Sequence, residues 1–435
     1  MKEIDLNSNF NFMNEDFLHY IWKFGLFDKS NLQTTAGQSI EIIKQGEHNK
    51  DSGPDFFNGK IKIDGTVWAG NVEIHINSSD WIKHNHQHDE AYNNVILHVV
   101  LNHDSEVYQR PDEAIPTLEL KFRILPNVKQ NYEKLNSSTK TIPCANSLKD
   151  VKEITISNWL QRMAIERLES KTIFVKQLFE ETNHDWQETF YRLLASNFGF
   201  KTNSEPFLLL AKKIPLNTIF KHKNDLFQLE SLLFGVAGLL DQTFEEEYPR
   251  KLQNEFEFLR KKYQLFSIKS ESWKYMRMRP LNFPTLRIAQ FAMLLHNSSH
   301  LFSKVLEENE LTNINNMFKH KCSEYWDTHY SFSSQSELQK KQIGESAIEL
   351  LLINSVAPLL FFYGKLKGEQ KYIDRAIEFL TQLKPETNKT VNQFTSNLLM
   401  VQNACDTQGL IHLEKEYCRK FKCLNCAIGN EILKK

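Results

Sequence analysis

Two alternating runs joined by Asp64-Gly65 restrict what the first third of this chain can become. Phe56 to Ile63 alternates apolar and polar positions, and Val67 to Ile76 alternates again after the two-residue turn. This is the pattern of a β-hairpin, because strand side chains repeat every two residues and Asp-Gly accepts the positive φ of a tight turn. On the second strand Asn71, Glu73, His75 and Asn77 then share one face, and Val72, Ile74 and Ile76 the other. An acid and an imidazole in the middle of a central strand are costly to bury unless they pair or bind a metal. The polar face is therefore a candidate site rather than ordinary surface.

The residues around the hairpin extend this reading. Asn14 caps an expected short helix over 14–24, and Ser39 to Gln45 reads as a first strand. After the hairpin, 80–93 reads as loop with a short helix, Val95 to Leu101 as an apolar strand, and Thr117 to Phe122 as another strand. Pro126 to Ile142 is polar and is expected to be irregular. From Val151 the period turns helical, with Leu160, Met163, Ala164 and Leu168 on one side. Further helices are expected at 185–198, 204–213, 224–241, 246–264, 284–297, 344–364, 369–382 and 390–418. The fold class is thus α+β: an α/β domain over 1–145, then a large all-α helical domain over 146–435 that carries a cysteine cluster near its end.

Composition narrows the class. The 435 residues are 41% hydrophobic and 25% charged, values of a soluble globular protein with room for more than one core. The first residues, MKEIDLNSNFNFMNEDF, carry acids where a secretion signal needs an apolar run, so a cytoplasmic location is expected. No run of about 18 uncharged apolar residues suggests a membrane span. Six cysteines in that setting read as thiols or metal ligands rather than disulfides. Residues 1–150 hold 15 Lys and Arg against 21 Asp and Glu, so the first third is acidic and the remainder slightly basic. That split reads either as chance or as a metal-binding half joined to a half that meets phosphates.

The order helix, strand, acid-bearing hairpin, helix, strand resembles the core of the PD-(D/E)XK nuclease superfamily, the restriction-endonuclease-like fold. Pro54-Asp55 heads one strand, and Glu73-Ile74-His75 stands in the place of the (D/E)-X-K element on the next. The resemblance covers about 14–103. It implies that Asp55 and Glu73 hold Mg²⁺ or Mn²⁺, that Glu15 is a further ligand from the helix, and that Asp55, Glu73 and His75 are catalytic. His75 departs from the usual lysine. An imidazole gives up the fixed positive charge, but it can accept a proton from an attacking water. The segment Trp81 to Asp89, WIKHNHQHD, resembles instead the HxHxDH signature of the metallo-β-lactamase fold with the acid and last histidine exchanged. It leaves open a zinc site at His84, His86, His88 and Asp89, beside the plainer reading of a solvated turn. His98, inside an apolar strand, reads as a core histidine. Over the whole chain GPDF at 53–56, SSDW at 78–81, VILHVV at 95–100, LLFGVAGLL at 232–240, RPLNFPTLRIAQ at 279–290 and YCRKFKCLNCAIGN at 417–430 resemble an uncharacterised bacterial domain-of-unknown-function family.

Two further motifs lie in the helical part. Arg277, Arg279 and Arg287, with Lys274, gather cations about a Pro284 helix start, where backbone N–H groups favour anions. They are either nucleic-acid phosphate contacts or a solvated packing corner. Cys418, Cys423 and Cys426 have metal-site spacing, with Cys405 or His412 as fourth ligand for Zn²⁺, and Cys405 preferred for a 4Fe-4S cluster. Cys144 and Cys322 stand alone and read as small core residues. The expected function is a divalent-metal-dependent nuclease or phosphodiesterase acting on DNA. The alternatives are a non-catalytic nucleic-acid-binding protein with a degenerate site, and a zinc-dependent hydrolase using the 84–89 histidines.

Overall fold

The computed structural model describes residues 13–110, 113–396 and 399–435. Sheet occupies the first part and helices most of the rest, a mixed α+β chain. Contacts separate two compact units: Met1–Trp159 with Asn392–Leu399 and Leu413–Lys435, and Leu160–Val391 with Met400–His412. The division falls inside the long helix Glu153–Glu181 rather than at 145/146. The terminal cysteine segment belongs to the sheet-bearing unit and not, as its position in the chain suggests, to the helical one.

In the first unit, α1 (Glu15–Phe24) starts where the Asn14 side chain accepts the Phe17 N–H at 3.0 Å, and ends at Gly25 with φ 61°. Its apolar side, Phe17, Leu18, Ile21 and Trp22, is fully buried. The strands are β1 (Ile40–Lys44), β2 (Glu47–His48), β3 (Phe56–Ile63), β4 (Thr66–Asn77), β5 (Val95–Asn102), β6 (Tyr108–Arg110), β7 (Glu113–Ala114) and β8 (Thr117–Glu119). The main sheet runs β1-β3-β4-β5-β8, with β2 beside β3; β6 and β7 pair separately. The expected hairpin is β3–β4, and its Asp64 and Gly65 both take positive φ (44° and 86°), as a tight right-twisted turn requires.

Neighbours change along β4. Val67 and Trp68 near the turn are exposed, whereas Val72 to His75 are buried on both faces. The reason is β5, which pairs in parallel with β4 from Asn71 onward. Parallel strands need a crossover rather than a tight turn. Here residues 78–94 supply it, with α2 (Asp80–Lys83) and two short 3-10 turns at His86–His88 and Glu90–Tyr92. Trp81 anchors that crossover in a small core with Tyr92, Val95, Val107 and Ile115.

The stretch after Pro126 corrects the sequence reading, because α3 (Pro126–Asn136) is a helix. Pro126 suits the first helical position, and Val128, Tyr132 and Leu135 form a buried stripe one turn apart. Tyr132 stacks on Phe17 at 4.0 Å, so tertiary packing overrides a polar composition.

The second unit is helical around one large apolar core. Its helices follow the 3.6-residue period, for example Ser204–Lys213, Pro284–Asn297 and Gln370–Gln382. The expected helix over 390–418 is instead Lys389–Thr395 and Ala404–Leu413, the latter opened by Asn403, whose side chain accepts the Asp406 N–H at 3.0 Å. Glu345–Lys367 is long and apolar enough to cross a membrane, but 78% of its apolar window is buried within the protein, as in a core helix.

Candidate metal centre

Three imidazoles converge at the end of β4 in the first unit. Donor atoms of His75, His84 and His86 lie within 4.8 Å of one another. His75 comes from the strand, and His84 and His86 from the crossover. Asn85 between them adopts φ 61°, a left-handed conformation that asparagine tolerates, and so re-aims the chain at His86. The crossover is tied down from both ends. The Asp80 side chain accepts the Asn77 N–H at 2.9 Å, and Asp104 accepts the Ser79 N–H at 2.8 Å. His86 stacks on Tyr92 with centroids 3.8 Å apart.

Glu73 closes the group. Its Oε1 lies 3.5 Å from His75 Nε2 and 3.4 Å from His86 Nε2, while His75 Nε2 lies 3.1 Å from His84 Nδ1. A tetrahedral ion with bonds of about 2.0–2.1 Å to nitrogen separates neighbouring ligand atoms by about 3.4 Å, so the side chains fit one. Nitrogen-rich donors suit Zn²⁺ or another transition ion better than Mg²⁺. Behind them His98 Nε2 lies 2.9 Å from His75 Nδ1. With the shared proton on His75 Nδ1, the Nε2 lone pair of His75 is free to ligate, the usual role of a partner behind a ligand.

The electrostatics agree with a place for a cation. Burial, then the Asp55 carboxylate, pushes Glu73 up to about 9. Burial, then the rings of His98, His86 and His84, pushes His75 down to about 2. Burial and the charges of His86 and His103 push His98 down to about 3. His86 is lowered by burial and His84. At neutral pH the rings of His75, His86 and His98 are therefore held in the neutral form, and the acid carries a proton that a cation would displace.

Asp55 and Glu73 are locked together. The Asp55 N–H donates to Glu73 Oε2 at 3.1 Å, and Asp55 Oδ2 accepts the Ile74 N–H at 2.9 Å. Asp55 Oδ2 also meets His19 Nε2 at 3.2 Å. Burial alone would lower His19, but the hydrogen bond and charge of Asp55, with Asp16 and Glu15, leave it raised. Glu15, one turn before His19 on α1, is raised by burial and by Asp55, against the opposing pull of His84. The structure thus brings Glu15, Asp55, Glu73 and His75 into one neighbourhood and adds His19, His84, His86 and His98. His19 was legible only as the residue four after Glu15, on the same helix face.

Other sequence candidates lie elsewhere. His88 is exposed and outside the imidazole group, and Asp89 is spent on the Ala91 N–H at 2.9 Å, so neither completes an 84–89 zinc site. In the helical unit Lys274, Arg277 and Arg279 are exposed. Arg287 corrects its expected role. It is buried, donates to Gln290 Oε1 at 2.9 Å and Asn282 Oδ1 at 2.6 Å, and lies 4.5 Å over the Phe200 ring. A guanidinium so engaged holds the helix start and offers no free donor fork to a phosphate. Cys405 is part of the helical core, and His412 faces Glu166 at 3.4 Å, both in the helical unit.

The family model for a protein of unknown function, DUF2851, matches residues 15–389. No curated protein and no solved structure matches the chain. The chain belongs to the DUF2851 family; the matched span begins at Glu15 and includes every residue of the imidazole centre.

Proposed function

We propose that the chain is a metal-dependent hydrolase of phosphodiesters, a nuclease acting on DNA, that uses a transition ion such as Zn²⁺ or Mn²⁺ at His75, His84, His86 and Glu73. The observation that carries this reading is the convergence of three imidazoles within 4.8 Å, two of them in contact with the Glu73 carboxylate. When bound, such an ion supplies Lewis acidity towards a phosphoryl oxygen. Glu73 and the rings of His75, His84 and His86 would hold it, and His98 orients His75. Asp55, fixed through one oxygen by the Ile74 N–H and His19, is placed to take a proton from the attacking water. His19, raised towards its charged form, supplies the positive charge that lysine gives in PD-(D/E)XK nucleases, while His75 in the lysine position serves as ligand.

DNA as substrate rests on the resemblance to that superfamily. Its support is the order α1, β1, β3, β4, crossover and parallel β5, with Asp55 just ahead of β3, Glu73 on β4 and Glu15 on α1. The raising of Glu15 and Glu73, each by burial and then by the Asp55 carboxylate among its neighbours, favours a second reading, with Mg²⁺ or Mn²⁺ among those three carboxylates. The test is cleavage of single-stranded, duplex and branched DNA by chelator-treated protein to which Zn²⁺, Mn²⁺ or Mg²⁺ is returned. Activity restored by Zn²⁺ or Mn²⁺ and lost in Glu73→Gln and His84→Ala is expected. Activity with Mg²⁺ alone that survives His84→Ala selects the carboxylate reading. Inertness throughout leaves a non-catalytic binding protein.

A further inference from the structure

The sheet-bearing unit holds a second cluster of metal-ligating side chains that the imidazole centre does not use. Cys144, Cys418, Cys423 and Cys426 are all buried, at 7–9% exposure, and all free. They come from two distant stretches of sequence. Cys144 leads into the turn Ala145–Asp150, which packs against the last helix, Ala427–Leu433. Cys426 caps that helix, Cys423 opens the turn Cys423–Asn425, and Cys418 ends the π-helical turn Glu414–Cys418.

We infer that Cys144, Cys418, Cys423 and Cys426 are the four ligands of an iron–sulfur cluster. Cys144, not Cys405, is the fourth ligand, since Cys405 belongs to the core of the helical unit. The turns that carry them pack on one another: Ala145–Asp150 and Cys423–Asn425 both meet the last helix, and Cys423–Asn425 meets Glu414–Cys418. Burial, then Cys426 and Cys423, pushes Cys144 up to about 12, and burial, then Cys144, Cys426 and Cys423, pushes Cys418 up. Of the neighbouring basic residues, Arg419 pairs with Glu414 and Lys420 with Glu416, and Lys422 is exposed.

The loop packs closely on the last helix. A Cβ on Gly429 would sit 2.2 Å from the Cys423 carbonyl oxygen, so only glycine lets the loop close this tightly on the helix.

Spacing separates a cluster from a single ion. Zinc bonds of about 2.3 Å would hold four sulfurs about 3.8 Å apart. Among the described residues the group of three donors within 4.8 Å is the imidazole one, so no three of these sulfurs crowd that closely. Four thiolates at the corners of a 4Fe-4S core stand wider than those around one zinc.

The experiment uses the full chain, expressed with added iron and purified without oxygen. Iron, acid-labile sulfide and zinc are measured, with the visible spectrum before and after dithionite. The expected result is iron and sulfide in equal amounts, approaching about four of each per chain, with a broad visible band that bleaches on reduction. Cys405→Ser should keep the band and Cys144→Ser should lose it. Should Cys144→Ser prove insoluble, wild-type alkylation mapping decides, because Cys144, Cys418, Cys423 and Cys426 should become reactive together when the cluster is removed. Iron below about a tenth of an equivalent, zinc without sulfide, or a Cys144 whose reactivity ignores cluster loss would overturn the assignment.

Discussion

Replacing Glu73 by glutamine should move the stability of metal-free and metal-loaded protein in opposite directions. Glu73 is 4% exposed, and burial beside Asp55 lifts its pKa from 4.5 to about 9. The folded state therefore holds this proton more tightly than the unfolded chain. The residue's contribution is fully present below pH 4.5 and declines as pH rises towards 9. At pH 7 the chain is about 2.5 pH units above the unfolded value, and at about 1.4 kcal/mol per unit the burial costs about 3 kcal/mol. Glutamine has the same shape and no such proton to lose, and it keeps an acceptor for the Asp55 N–H. Metal-free Glu73→Gln should then exceed wild type by up to about 3 kcal/mol at pH 7, with the gain vanishing near pH 4.5. With saturating Zn²⁺ the order should invert, because the variant loses the anionic ligand and with it the stabilisation that binding confers. Denaturant unfolding in chelator and in Zn²⁺, across that pH range, measures both. A variant less stable than wild type by the same amount in both conditions would refute the reasoning and make Glu73 a structural hydrogen-bond acceptor.

His98→Phe should lower metal affinity about 10- to 100-fold while the circular dichroism spectrum is kept, since it removes the partner behind His75; titration calorimetry reads it. His84→Ala and His86→Ala should each weaken binding in the same assay, whereas His88→Ala should leave it unchanged. Arg287→Ala should destabilise the helical unit by about 3 kcal/mol, through lost buried hydrogen bonds and the lost Phe200 contact, as seen in its unfolding midpoint. Arg277→Ala and Arg279→Ala should leave stability within about 0.5 kcal/mol.

What was legible in the sequence was what local periodicity controls. The alternation around Asp64-Gly65 placed β3, β4 and the shared face of Glu73 and His75, and the 3.6-residue period placed most helices. What was not legible depends on pairing across distance. The parallel pairing of β4 with β5 forces a crossover, and only that return path brings His84 and His86 onto His75. Cys144 looks isolated because the segment it meets is near the other end of the chain. Charge pattern put Arg287 at the surface, but Phe200, Gln290 and Asn282 enclose it. Polar composition made Pro126–Asn136 look irregular, although three residues at helical spacing were enough to dock it.

The most direct test of the central claim is anomalous diffraction from crystals soaked in Zn²⁺ or Mn²⁺. One ion is expected at this site, enclosed by the rings of His75, His84 and His86 and the Glu73 carboxylate, with His98 hydrogen-bonded behind His75. An ion held by Asp55, Glu73 and Glu15 with no imidazole bound, or no ion in this neighbourhood at saturating metal, would contradict it.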